Sequence, residues 1–145
     1  MVTRHREVED ICRSRSIPVH LHELPHRSDT VRLGLEALKE DLDGYLFLPG
    51  DQPLLSRESL KDLLLTAQEN PDRIVRLCYG ETPGSPVLFP RWAYPELMTL
   101  PEGKGGNVVI KNHPEQICFV PARAAWELMD VDCPEDLEAL SAYLK

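Results

Sequence analysis

The sequence lacks an excess of positive charge. Its 145 residues carry 16 Lys and Arg against 24 Asp and Glu, for a formal net charge of −8. Such a chain offers little to a phosphate backbone, so nucleic acid is not an expected partner. It also lacks a C-x-x-C pair. Cys12, Cys78, Cys118 and Cys133 stand apart, none at zinc-site spacing with a histidine, and are read as free thiols of a reducing cytoplasm. No apolar run is long enough to cross a bilayer and no secretory segment opens the chain, so no membrane partner is expected and the expected location is cytoplasmic. There is no G-x-S-x-G elbow and no defensible Ser/His/Asp order, so nothing points to a side-chain nucleophile. The remaining profile is that of an enzyme handling small molecules, with room for a divalent cation.

The length suits one domain, spanning residues 1–145. Thirteen prolines and eight glycines are spread along it as turn punctuation. Val8, Ile11 and Cys12 predict a short helix over 6–14, and the branched run 17–22 predicts a strand. Ser28 or Asp29 is placed to cap a helix whose stripe is Val31, Leu35, Leu38 and Leu42. A buried strand follows over 45–48. Ser56 caps a helix with Leu60, Leu63, Leu64 and Ala67 on its apolar face, ended by Asn70-Pro71. Strands are expected at 73–79, 86–89, 116–121 and 126–131, and a short helix within 90–100. The stretch 107–113 fits strand or helix. Pro134 at N1, followed by acids, opens a last helix with Leu137, Leu140 and Leu144 inward. Strand–helix alternation through residue 69 implies βαβ units and a mainly parallel sheet. Trp92 and Trp126 are expected in the core or a pocket wall, and the five histidines as exposed or satisfied groups.

Three stretches are candidates for chemistry. Gly50-Asp51-Gln52-Pro53 follows the carboxyl end of a buried strand, where open α/β sheets bind ligands. A carboxylate there suits Mg²⁺, though the same residues also suit a plain turn. Asp130 and Asp132 lie two apart before a helix start, on one face if the strand persists; alternatively the acids merely complement that helix terminus. Gly103-Lys104-Gly105-Gly106-Asn107 can close backbone N–H groups on an anion, or be a surface loop, and has neither Walker nor dinucleotide spacing.

In order and spacing, "DGYLFLPGDQPLLSRESLKDLL", "CYGETPGSPVLFP", "LPEGKGGNVVIKNHP" and "MDVDCPEDLEAL" resemble the molybdenum cofactor cytidylyltransferases of the MobA-like NTP transferase family. The resemblance runs from "VTRHREVEDI" to the end of the chain. It implies a Rossmann-like, glycosyltransferase-A-type α/β fold with a mainly parallel mixed sheet. It also implies CMP transfer from CTP to molybdopterin with release of pyrophosphate. Asp51 and Asp132 match the family's Mg²⁺-binding and catalytic positions, with Asp130 as a helper ligand. Gly50, Gln52 and Pro53 flank the first of them. Gly84, Pro86, Lys104, Gly105 and Gly106 match segments that line the acceptor side, while Ser28 and Thr30 match a nucleotide-contacting loop. Nucleotidyl transfer needs charge neutralised at phosphorus and on the leaving group more than it needs a protein nucleophile.

The chain departs from the family at its start. The glycine-rich triphosphate loop and its strand have no counterpart, so a βα unit of roughly 30 residues or more is expected to be missing. Cys133 stands for the family's usual Thr, His26 for Gly and Asp29 for Ser. Two alternatives therefore stand beside cytidylyl transfer. One is a non-catalytic remnant or binding module that forms a homodimer or pairs with a molybdoenzyme or accessory protein through an open sheet edge. The other is guanylyl or other nucleotidyl transfer to a small phosphorylated acceptor.

Overall fold

A computed structural model describes residues 1–38 and 41–143. In chain order the elements are β1 (Val2–Thr3), α1 (Arg6–Ser14), β2 (His20–Leu21), α2 (Arg27–Glu36), β3 (Gly44–Phe47), α3 (Arg57–Glu69), β4 (Ile74–Tyr79), β5 (Thr82–Pro90), α4 (Tyr94–Met98), α5 (Asn107–Asn112), β6 (Ile117–Pro121) and α6 (Pro134–Ser141). Short 3-10 turns lie at Arg91–Ala93, Pro114–Gln116 and Ala125–Leu128. None of the described helices is long and apolar enough to cross a membrane. The elements gather into two compact units. One comprises Met1–Leu42 with Trp92–Pro114, the other Asp43–Arg91 with Glu115–Lys145.

In the first unit β1 and β2 pair in parallel, Val2 opposite His20 and Thr3 opposite Leu21. The predicted strand 17–22 thus shrinks to two residues. Helix α2 starts earlier than Ser28 or Asp29 would place it, with His26 as N-cap. Asp29 serves instead at the third helical position, accepting the His26 N–H at 3.2 Å. The helix stops at Glu36, so Leu38 and Leu42 leave the predicted stripe and Leu35 alone is fully buried in it. Cys12 is buried on α1, whereas Ile11 is exposed. Residues 107–112 resolve as helix, with Val109 and Ile110 buried. His22 is 8% exposed; its Nε2 shares a hydrogen bond with Thr30 Oγ1 at 3.0 Å and its Nδ1 has no partner. Trp92 is half-buried and packs edge-on against His113.

In the second unit the strand order is β3-β5-β4-β6. β5 runs antiparallel to both β3 and β4, and β4 runs parallel to β6. The sheet is therefore mixed, as the resemblance implies, with β5 the strand that runs against its neighbours. The reason is local. Gly80 takes φ +57, which closes a tight hairpin between β4 and β5, and the expected loop and short strand become one nine-residue strand. Leu63 and Ala67 of α3 pack on Val75, Leu77 and Val120, with Leu46, Leu88 and Cys118 around them. These residues alternate along their strands, so one sheet face meets the helix. Each fully buried aliphatic side chain contributes roughly 1.5–3 kcal/mol. Leu64 is exposed, and Ser59 takes the buried position on α3 instead.

The predicted strand 126–131 does not form. Residues Ala125–Leu128 are a 3-10 turn, and Met129 to Cys133 run extended without a ladder. Trp126 is 42% exposed, stacked on Tyr143 with ring centroids 4.9 Å apart, rather than in the core. Helix α6 forms as predicted and buries Leu140; Leu137 is exposed, and Leu144 lies outside the described residues. All four cysteines are free, and Cys133 is exposed.

Candidate functional site

Strand β3 delivers the chain to Leu48-Pro49-Gly50, and the turn beyond it presents Asp51 to solvent. Two bonds fasten this turn to the segment before α6. The Val131 N–H donates to the Asp51 carbonyl at 2.9 Å. Gln52 Nε2 donates to Asp130 Oδ1 at 2.8 Å. Asp51, Asp130 and Asp132 are all exposed. The structure thus brings the Asp51 turn and the segment carrying Asp130 and Asp132 together, although no strand aligns the two acids. Pro53 lies in the same turn.

The donor chemistry fits a hard divalent cation. Every candidate ligand here is an oxygen: three carboxylates and the amide oxygen of Gln52. That Oε1 is buried and has no donor. Its orientation is fixed because the other end of the amide is committed to Asp130. A hard cation, or a water carried by one, is the kind of group that satisfies such an acceptor. Among the described residues no three His, Cys, Asp or Glu groups stand close enough to form a complete cage. A cation here therefore draws further ligands from water and substrate, as Mg²⁺ commonly does.

Behind this turn lies a carboxylate that sequence reasoning missed. Glu127 is 2% exposed. Its Oε2 accepts from the Ser56 N–H at 3.1 Å and from the Ser56 hydroxyl at 2.8 Å. Ser56 caps α3 in turn, accepting the Ser59 N–H at 3.0 Å. Burial pushes the Glu127 carboxyl up, but hydrogen bonds from Ser59, Ser56 and the Arg123 backbone outweigh it and hold its pKa below the ordinary value. The available signal was weak: an acid inside the apolar run Trp126 to Met129, which a strand pattern absorbs without comment. Gly84 has a matching structural role. A Cβ there would lie 2.7 Å from Leu128 Cδ1, so glycine permits the close approach of the turn that holds Glu127. Arg76 braces the same place, donating to the Gly84 carbonyl from Nε at 3.1 Å and Nη2 at 2.9 Å. Pro86 is buried in β5.

At the start of α6, Asp136 accepts the N–H groups of Asp132 and Cys133, each at 2.9 Å. Those bonds hold its carboxyl below the ordinary value. They leave the Asp132 side chain uncommitted to the cap.

The first unit holds the other candidate residues. The Gly103 N–H donates to Ser28 Oγ at 3.2 Å, which ties the glycine-rich loop to the start of α2. Gly103 takes φ +72 in this turn. A cavity of about 210 Å³ opens beside the tie, lined by Ser28, Asp29, Arg32, His26 and Glu102 with Met98 and Leu100. It is below the usual range for a drug-sized ligand and suits one polar fragment. His26 Nε2 lies 3.1 Å from Glu102 Oε1 across it. Lys104 is exposed, and Gly105 lies close to Arg27, whose Nε would be 3.0 Å from an added Cβ. Thr30 is not among the lining residues, and its hydroxyl is engaged by His22.

Comparison with known proteins agrees with this architecture. Among solved structures, Rv0371c from Mycobacterium tuberculosis superposes with a TM-score of 0.80 at 20% identity, over 96% of this chain and 72% of that one. A complex of Rv0371c with manganese gives 0.71 at 20% identity, over 96% and 73%. The 4-diphosphocytidyl-2C-methyl-D-erythritol synthase of Anaerococcus prevotii gives 0.73 at 15% identity, over 99% and 76%. No curated protein matches the sequence significantly. These likenesses establish an α/β fold with a mixed sheet, shared with nucleotidyltransferases. The profile of the MobA-like NTP transferase domain matches residues 1–117, more than half of the sequence, and the chain belongs to that family of nucleotidyltransferases.

Proposed function

We propose that this chain transfers CMP from CTP to the terminal phosphate of molybdopterin, releasing pyrophosphate, with Mg²⁺ bound at Asp51 and Asp132 and Asp130 as a helper. The observation that carries the proposal is the fastening of the Asp51 turn to the Asp130 segment by the Val131–Asp51 and Gln52–Asp130 bonds. It gathers oxygen donors at the carboxyl end of β3, where α/β sheets bind ligands. A manganese complex of a protein with the same fold supports a divalent cation. When bound, the cation would neutralise charge on the phosphates. The chain's own part is to hold the carboxylates and to present Gln52 Oε1 as an acceptor. In the first unit, Ser28 and the loop through Lys104, Gly105 and Gly106 bind a phosphate or ribose fragment, Lys104 supplying an exposed positive charge. Thr30 acts there through His22 and not by direct contact. Gly84 and Pro86 shape the acceptor side as backbone. CTP is preferred over GTP because the "PGSPVLF" and "DVD" segments are closer to the cytidylyl branch.

The test is pyrophosphate release from CTP and molybdopterin with Mg²⁺, compared with GTP and other small phosphorylated acceptors. Asp51→Ala and Asp132→Ala are each expected to lower turnover by roughly 100-fold or more, the scale of losing a principal electrostatic contact. Unchanged turnover in Asp51→Ala overturns the metal role. A second activity class has one observation in its favour. Among the described residues β3 is a terminal strand of its sheet, pairing with β5 alone, and a terminal strand is where a partner strand would add. A chain that sediments as a dimer and releases no pyrophosphate with any nucleotide would favour a binding module.

A further inference from the structure

Glu127 lies between the two halves of the candidate cation site without belonging to either. It sits three residues before Asp130, and its bonds go to Ser56, the N-cap of the helix that follows the Asp51 turn. Its side chain is an unsuitable ligand. Both of its bonds from Ser56 fall on Oε2, and only 2% of the residue reaches solvent. A carboxylate enclosed to this degree and already bonded to Ser56 faces the chain rather than a cation at the surface. Its surroundings are also tightly packed on the other side, where Leu128 fills the space that Gly84 leaves open. An ionised group in such a place is held rigidly, because moving it strands both the carboxylate and the Ser56 donors.

We propose that Glu127 is a positioning residue for divalent-cation binding, clamping the segment that carries Asp130 and Asp132 to the start of α3 and so to the Asp51 turn. This rests on the proposed cation site, and it assigns the affinity of that site to a residue that touches no ligand. The clamp acts beside the Val131–Asp51 and Gln52–Asp130 bonds. Without it the segment keeps only those two bonds and the packing of Leu128 to hold it against the Asp51 turn.

Two measurements on the intact chain test it. Amide hydrogen exchange at Val131 reports whether the segment stays on the Asp51 turn. Titration with Mn²⁺, followed by the paramagnetic signal of the free ion, reports affinity. Glu127→Ala is expected to speed Val131 exchange more than the exchange of Val75 in the core. It is also expected to weaken Mn²⁺ binding by about tenfold or more, as loss of an outer-shell partner does. Glu127→Gln keeps the shape and an acceptor for the Ser56 N–H, and is expected to stay within about threefold of the parent affinity, closer than Ala. A merely stabilising residue would lower the melting temperature and leave the affinity of the folded protein alone. Parent affinity in Glu127→Ala, with binding lost in Asp51→Ala, overturns the proposal and leaves the cation site standing. A parent protein that binds no Mn²⁺ overturns both. Should Glu127→Ala fail to fold, Ser56→Ala removes one of the bonds to Glu127. Intermediate weakening then supports the clamp, and unchanged affinity overturns it.

Discussion

Gln52 donates its amide N–H to Asp130 at 2.8 Å while the oxygen of the same amide is buried without a donor. The bond spans 78 residues of sequence and fixes which way the amide faces. Gln52→Glu keeps the size and removes the donor, placing a second carboxylate against Asp130. The expected outcome is a loss of about 1 kcal/mol without divalent cation, the scale of one hydrogen bond at a partly exposed position. Added MgCl₂ is expected to restore it, because a cation neutralises the pair. Thermal melts of the variant in chelator and in MgCl₂ make the comparison. Equal melting temperatures in both would show that no cation enters between these residues.

The elements around this bond differ in how plainly the sequence announces them. The run Tyr45 to Phe47 and the Ser56 cap both follow from local chemistry, and they place Asp51 correctly at a strand end. The order of family motifs singles out the two segments carrying Asp51 and Asp130, which the structure holds together through Val131 and Gln52. What local patterning missed are features that long-range contacts decide. Alternation over 126–131 mimics a strand, but Glu127 is drawn to Ser56 and turns the chain there. Helix α2 stops at Glu36 although Leu38 and Leu42 continue the stripe. The antiparallel β5 was hidden by its three prolines, which punctuate loops more often than long strands.

Glu127 should leave a signature in acid. Its pKa is held below the ordinary 4.5, so its charged form is the one the fold prefers. Its contribution is therefore fully present above the unfolded value and is lost as pH falls through the lower folded one. Glu127→Gln mimics the protonated state. The stability gap between parent and variant is expected to be about 1–3 kcal/mol near neutrality and to close in acid. Urea melts across that range measure it. A gap that widens toward low pH would contradict the assigned ionisation.

The Ser28–Gly103 bond predicts a change in dynamics with little change in stability. Ser28→Ala removes the acceptor of the Gly103 N–H at an exposed position, so global stability is expected to move by less than about 1 kcal/mol. The Gly103 amide should exchange severalfold faster, while Val109 on α5 keeps its protection. Unaltered exchange at Gly103 would mean the loop is held by other contacts. In that case Ser28 is free for a ligand in the neighbouring cavity.

Gly84 and Leu128 supply a test of packing behind the candidate site. A methyl group at residue 84 would meet Leu128 Cδ1 at 2.7 Å, Cδ2 at 2.9 Å and Cγ at 3.1 Å. Because Cγ is included, a rotation of the leucine tip does not clear the clash, and the turn holding Glu127 must shift. Gly84→Ala is expected to cost about 1–3 kcal/mol, the scale of overpacking. Leu128→Ala makes room but also removes packing from the core formed by Leu63, Val75 and Leu77. The double variant should then be more stable than the sum of the two single losses implies, with a coupling of about 1 kcal/mol or more for residues in direct contact. Denaturant melts of the four proteins give that coupling. Strict additivity would show that the turn yields without strain, and that Gly84 is not what lets Leu128 and Glu127 sit against β5.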